Sequence, residues 1–478
     1  MTLKHWLKAR MPLKRGFKPR SYLWAVTQAA VLLLPFSSLL SSVGILLVAI
    51  GVWQQRLPDI VGRRVNWGFA VLSVLMLIST AAAFNRTDAL LGLFNFLPFF
   101  FVFAGLSEWL QTPAKLRRLA WLLVIGSMPV VAIGLGQQFF GLSGQVQGLW
   151  GVVDWSIAAT GNPPGRMASV FFYANVLASY LTVALTLSLG LWLEVFLSSQ
   201  QSAVSGQWSA DGGQWIVASG QEEEGAEDAA FDQNSPALQI FLTVAVLGNA
   251  IALVLTNSRN AWAIGVFACL AYALYLGWRW LLVGVGVVAG STLGAAFAPP
   301  PGRDWLREVV PAFFWARLTD QLYTDRPVAQ LRSTQWRFAW SLAQQHPLTG
   351  WGFRNFTPLY QAQMQYFIGH PHNLLLMLAA ETGIPSALLF FSLVGWIVVQ
   401  GSLMLYAKLP WSLAERGFDT HDRLLYFSYL VAFVGCGLFS FLDVTLFDVR
   451  INLLGWLLVS AIAGMMYRGH GMRADTDE

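Results

Sequence analysis

Three residues in this chain pair donor chemistry with places where polar groups are expensive. His372 lies in Gly369-His370-Pro371-His372-Asn373, at the mouth of an apolar run. Arg332 opens Arg332-Ser-Thr-Gln-Trp336-Arg337-Phe-Ala-Trp340, and Arg259 sits in Leu255-Thr256-Asn257-Ser258-Arg259-Asn260. A histidine near its ordinary pKa takes a proton from a hydroxyl, or bonds an anion when charged. A guanidinium is a planar fork of donors that matches phosphate and carboxylate. In a chain that is mostly lipid-soluble, such groups are functional-site candidates by default. Together they describe a site for a large anionic substrate at one face of a membrane.

Each residue also has a structural reading. Ser258 or Asn257 can cap the helix that follows, and Arg259 then adds charge to free backbone N–H groups, a natural anion seat. The structural alternative is a turn arginine snorkelling to lipid headgroups. Arg332 and Trp336 share one helix face, whereas Arg337 points elsewhere. Trp336 and Trp340 press that helix onto the membrane interface. The alternative is an interfacial helix with a solvated arginine. The pair His370 and His372 invites a metal, but Pro371 constrains it and no carboxylate is near in sequence, so no metal is assigned. The alternative for His372 is a helix-capping histidine. Glu381, before Gly383, is a structural cap or a partner to an arginine.

The elements that must position these residues are membrane helices. Of 478 residues, 56% are hydrophobic and 12% charged, about half the charged share of a soluble protein. The mean hydropathy is +0.54. Apolar runs of about 20 residues, enough to cross the hydrocarbon layer, recur along the chain. Backbone groups in lipid must bond internally, so the runs are helices and the fold is all-α and polytopic. Spans are expected near 22–37, 38–54, 66–84, 88–107, 116–137, 169–196, 236–256, 260–278, 280–299, 375–406, 424–442 and 451–467, about twelve transmembrane helices. The tenth is expected to break at Gly383-Ile384-Pro385, leaving 375–382 as a short segment at the surface. Cys269 and Cys436 lie inside apolar runs and read as core residues rather than a disulfide. The net charge of +5 is spread over loops, not gathered in a nucleic-acid face.

Positive charge orients the bundle. With the N-terminus in the cytoplasm, cytoplasmic segments hold 19 of the 30 basic residues and all six lysines. The outer side keeps 11, all arginine. The resulting plan has a basic cytoplasmic tail (1–20), six N-terminal helices (21–196), and a disordered low-complexity cytoplasmic loop (197–235). Three helices follow (236–299), then a large outer loop, helical in part (300–371), three more helices (372–467) and a cytoplasmic tail (468–478). The outer loop is expected to pack on the membrane surface as a lid. Arg259, Arg332 and His372 come from three segments, and all fall on the outer face. There is no internal repeat of the transporter kind.

The run His370-Pro-His372-Asn373-Leu-Leu-Leu-Met-Leu-Ala-Ala-Glu381-Thr-Gly383-Ile-Pro385 resembles the signature of the O-antigen ligase and polymerase superfamily. So do Thr256-Asn-Ser258-Arg259 and Arg332 ahead of Pro347-Leu-Thr-Gly350-Trp-Gly352. A further match is Arg166-Met-Ala-Ser-Val-Phe-Phe-Tyr-Ala-Asn175. The resemblance covers roughly 160–465. Leu442-Asp443-Val-Thr-Leu-Phe-Asp-Val-Arg450 is similar to the cyanobacterial branch labelled putative inorganic carbon transporters.

The resemblance implies a helical fold related to the lipid-dependent glycosyltransferases. It implies an inner-membrane enzyme with a periplasmic active face, of the kind used in lipopolysaccharide biosynthesis. Such an enzyme moves a glycan from an undecaprenyl-diphosphate carrier to an acceptor hydroxyl, without nucleotide, metal or other cofactor. Its partners are a lipid-linked glycan donor, a glycan or lipid acceptor and membrane lipids, with no nucleic acid. Carried over, Arg259 and Arg332 hold the diphosphate and His372 activates the acceptor. Arg166, Asn175, Asn373 and Glu381 are supporting residues. Four positions depart from the pattern: Asn260 stands where glycine is usual, Phe353-Arg354 where Pro-Gly is usual, and Ser386 where glycine is common. The rival readings are an inorganic carbon (bicarbonate) transporter and an accessory protein of carbon uptake. A carrier places charge near the bilayer midplane, whereas here charge sits at the outer rim.

Overall fold

The computed structural model describes residues 19–148, 153–209, 235–319, 327–406 and 412–468. The N-terminal tail to residue 18, most of the acidic segment (210–234) and the C-terminal tail (469–478) lie outside the described residues. The fold is all-α, with eighteen helices and one small hairpin among the described residues. Ten helices are long and apolar enough to cross a membrane, so this is a polytopic membrane protein.

Helices α1 (Pro19–Leu32), α2 (Ser38–Gly62), α3 (Arg64–Ala81), α4 (Arg86–Leu93), α5 (Leu97–Trp109) and α6 (Pro113–Phe140) form the first part. Their ends follow local chemistry. Ser37 caps α2, Asn85 caps α4 through Thr87 N and Asp88 N, and Thr112 caps α6 with Pro113 just inside. Gly141, at φ +65, closes α6 in the left-handed conformation that favours glycine. A two-stranded antiparallel hairpin follows, β1 (Gly144–Gly148) with β2 (Val153–Ile157), in the register Val146 opposite Trp155. That hairpin was not expected from the sequence.

Helix α7 (Ala174–Ser209) is the longest. It runs on into the segment read from sequence as a disordered loop, since no proline stands between Leu197 and Ser209 to stop it. Helices α8 (Pro236–Leu255), α9 (Arg259–Tyr275) and α10 (Arg279–Phe297) come next. The loop 300–371 is helical in part, as expected. It holds α11 (Gly302–Val309), α12 (Ala312–Leu318), α13 (Arg332–Gln345) and α14 (Phe356–Met364). The chain closes with α15 (Leu374–Thr382), α16 (Ile384–Met404), α17 (Thr420–Ser440) and α18 (Val449–Tyr467).

Two expected spans are shorter than the other ten among the described residues. α1 has 14 residues and α9 has 17, which reach about 21 and 26 Å at helical rise. The turn at Pro35 ends the first, and Gly277, at φ +71, follows the end of the second. The expected break at Gly383 is present. This glycine has φ +85, and a Cβ there would lie 2.3 Å from Leu348 O.

The core lies around α18, which is buried along nearly its whole length. Trp456 sits among Phe69, Phe100, Phe103 and Phe390, with ring centroids 5.4–6.4 Å away. A second, smaller core of Phe338, Phe356 and Tyr360 holds α13 and α14 against α15. It fixes the loop that carries Arg332 over one end of the bundle.

Candidate functional site

The site forms where several helix ends converge. Asn373 is the N-cap of α15: its side chain accepts from Leu376 N and donates to Phe441 O at 2.9 Å. That bond ties the start of α15 to the end of α17. His372, just before the cap, is held at φ +53, an unusual conformation for a side chain of this size. Its backbone N–H donates to His370 Nδ1 at 3.2 Å. Its ring Nδ1 lies 2.7 Å from Asp443 Oδ1.

Asp443 follows α17, and its backbone N–H donates to Phe439 O. Its carboxylate is a junction. Oδ1 takes His372 and lies 4.0 Å from His370 Nε2, and Oδ2 accepts from Asn175 Nδ2. Asn175 stands at the start of α7, and its own oxygen accepts from Arg166 Nη2. Arg166 Nε then donates to Thr256 O at 2.8 Å. One polar chain therefore joins the ends of α7, α8, α15 and α17. Asn257 Nδ2 donates to Gly165 O at 2.9 Å and seals the same seam.

Arg332, the first residue of α13, acts electrostatically on Asp443, His370 and Tyr173. Arg259 opens α9 on the turn next to Thr256. Ser258 takes the N-cap position without a side-chain capping bond, unlike the sequence expectation. Of the residues singled out from sequence, His372, Arg332, Arg166, Asn175 and Asn373 thus meet around Asp443. Arg259 borders them.

Glu381 does not join the cluster. It lies at the far end of α15, almost fully buried, where Oε1 accepts from Phe356 N at 3.3 Å. Its backbone oxygen accepts from Gly352 N and Ser79 Oγ. Of its two expected roles, the structural one describes these contacts: Glu381 pins the turn 352–356. Burial pushes its carboxyl up to about 8, against the pull of backbone N–H groups at Arg354 and Phe356.

The electrostatics follow from burial. Desolvation pushes His370 down to about 4, helped by its neighbour His372, so His370 is neutral at pH 7. Burial alone would raise Asp443. The His372 hydrogen bond and the surrounding positive charge outweigh it and hold the carboxyl at about 2. A carboxylate on Nδ1 fixes the histidine tautomer and leaves Nε2 as a proton acceptor.

Asp443 is the residue that sequence reasoning missed as a site member. The signal was an acidic residue at a span end, which is rare and costly. It also revises the metal argument, which rested on no carboxylate being near in sequence. In space, ligand atoms of His370, His372 and Asp443 all lie within 4.8 Å of one another, close enough for one ion.

These features define a multi-pass, all-α membrane protein with a histidine–aspartate pair and arginines at the helix ends. Residues 244–391 match the family model described as O-antigen ligase, so the chain carries an O-antigen ligase domain. The domain marks the general class, a glycan transferase of the O-antigen ligase or polymerase type, with lipid-linked glycan and membrane lipids as its partners in general terms. The matched stretch contains Arg259, Arg332 and His372, whereas Arg166, Asn175 and Asp443 lie outside it. No curated protein matches the chain.

Proposed function

We propose that the protein transfers a glycan from an undecaprenyl-diphosphate carrier to an acceptor hydroxyl, on the periplasmic face of the inner membrane. The observation that carries this reading is the 2.7 Å contact between His372 Nδ1 and Asp443 Oδ1, within the field of Arg332. In the reaction, His372 Nε2 takes the proton of the acceptor O–H. The acceptor oxygen forms a bond to the anomeric carbon of the donor sugar. The bond from that carbon to the carrier phosphate breaks, and its electron pair leaves with the diphosphate. Arg259 and Arg332 neutralise the charge that develops there, the setting in which fixed donors are most effective. Asp443 stabilises the imidazolium, and Asn175 and Arg166 hold Asp443. Asn373 fixes the start of α15 and with it the His372 ring. Glu381 keeps the turn beside α14 in place.

The orientation rests on the topology expected from sequence, in which all six lysines fall on the side opposite the proposed site. In this reading the residues 300–371 form a periplasmic lid, the domain plan is that given from sequence except that α7 runs on to Ser209, and the transfer needs no metal. The test is the ladder of surface glycan lengths in cells with and without the gene. A changed ladder is expected. An unchanged surface with impaired uptake of inorganic carbon would favour the transport reading.

A further inference from the structure

We propose that an apolar groove between α16, α17 and α18 seats the lipid that bears the acceptor, by taking an N–H or O–H of that lipid on Asn452. The claim that this lipid is the acceptor rests on the glycan-transfer reading; the binding site itself does not.

The groove encloses about 370 Å³. Its walls include Phe390, Val398 and Trp456, and its rim beside the start of α15 includes Leu374 and Phe441. The rim adjoins the polar cluster, because Phe441 O accepts from Asn373 Nδ2, next to His372. The side towards Val399 and Leu438 is open, and both residues are exposed. Gly395 and Gly437 also line it, and a Cβ added at either would meet nothing within 4 Å. Space beside bare backbone suits a chain molecule.

One feature is out of place in a wall of hydrocarbon. Asn452, on the first turn of α18, lines the groove and is 1% exposed. Its Nδ2 donates to Asn95 O at 2.8 Å. Its Oδ1 has no partner among the described residues, and neither does the buried Nδ2 of Asn95. A buried acceptor without a donor is unfavourable in apolar surroundings. A polyisoprenoid tail offers no N–H or O–H and leaves Asn452 unsatisfied. An acyl amphiphile with an amide or hydroxyl just below its head satisfies it. Asn452 lies one turn below the helix end, so that donor sits near the level of the polar cluster.

The experiment uses the purified full chain in detergent, with lipid binding read by native mass spectrometry. The probes are N-tetradecanoylethanolamine, which carries an amide N–H and a hydroxyl, and methyl tetradecanoate, which carries no donor. The wild type is expected to bind the amide about tenfold more tightly, the scale of one net hydrogen bond. Asn452→Leu should abolish the preference while still binding the ester. Gly395→Phe, whose Cβ meets nothing within 4 Å and whose ring enters the groove, should weaken both probes and guards against a folding defect in the first variant. Equal affinities in the wild type, no binding of either probe, or a preference that survives Asn452→Leu would overturn the site. Displacement of the amide by geranylgeranyl diphosphate would assign the groove to the carrier instead, and overturn the inference. If the preference stands but the protein transfers no glycan, the transfer reading fails and the lipid site remains.

Discussion

Two clusters of charge sit at opposite ends of the same helices, and they are built differently. At the end away from the site, Arg117 Nε meets Glu194 Oε1 at 2.8 Å and its Nη2 meets Asp422 Oδ1 at 2.9 Å. Nearby, Arg63 Nε meets Glu108 Oε1 at 2.7 Å and its guanidinium lies 4.1 Å from the Tyr467 ring. There each guanidinium faces a carboxylate, in pairs that join α6 to α7 and α17, and the turn before α3 to α5. At the site end one carboxylate, Asp443, serves two histidines and an amide, within the field of Arg332. Closed pairs hold helices together, whereas one acid shared by a histidine and an amide orients the histidine for chemistry. The contrast predicts that damage at one end lowers stability and damage at the other lowers turnover.

The largest expected effect is at the site end. Arg332→Ala and Arg259→Ala should each reduce glycan transfer by about 10²–10³-fold, the usual loss for a transition-state donor. Both proteins should still insert and accumulate, as membrane immunoblots would show. Lysine at either position should restore only a small part, because an ammonium cannot form two parallel hydrogen bonds. Full transfer in either Ala variant would remove that arginine from the account.

The opposite end should respond in the other currency. Arg117→Ala leaves Glu194 and Asp422 without their guanidinium. The expected loss is about 3 kcal/mol of stability, the lower end for a broken buried pair because Arg117 keeps partial access to water. The midpoint of unfolding in a denaturing detergent titration reads this. Transfer per folded molecule should be unchanged. A variant of normal stability and lost turnover would mean that the two ends do not differ as described.

A smaller effect tests the turn behind the site. Glu381 titrates near 8 when folded, against 4.5 for an ordinary glutamate. The folded state therefore holds this proton more tightly, so its contribution is complete at low pH and falls as pH rises from about 4.5 to 8. The difference in melting temperature between Glu381→Gln and the wild type should shift in favour of the variant across that window. A pH-independent difference would show that Glu381 is ionised in the folded protein.

Much of this arrangement was legible in the sequence, for reasons that differ from residue to residue. Hydropathy revealed the helices, and Gly383-Ile384-Pro385 revealed the break between α15 and α16, because a glycine followed by proline marks a local rule. Hydropathy did not distinguish a 14-residue helix followed by an apolar turn from one longer helix, so the end of α1 was placed too late. His372 and Arg332 were readable because their meaning lies in nearby residues. Asp443 was not, since it reaches His372 across 71 positions and the pairing depends on how α17 packs beside α15. The groove at Asn452 was equally hidden, because an asparagine at a span end looks like a cap until its neighbours are known.

In the proposed mechanism His372, oriented by Asp443, takes the acceptor proton without a metal. The direct measurement is transfer by purified protein supplied with lipid-linked glycan and acceptor, run with a chelator present. Full transfer by the wild type is expected, with a loss of about 10²–10⁴-fold in His372→Ala and a far smaller loss in His370→Ala. Transfer that stops with chelator and returns with zinc would contradict it, and would make His370, His372 and Asp443 the ligands of an ion.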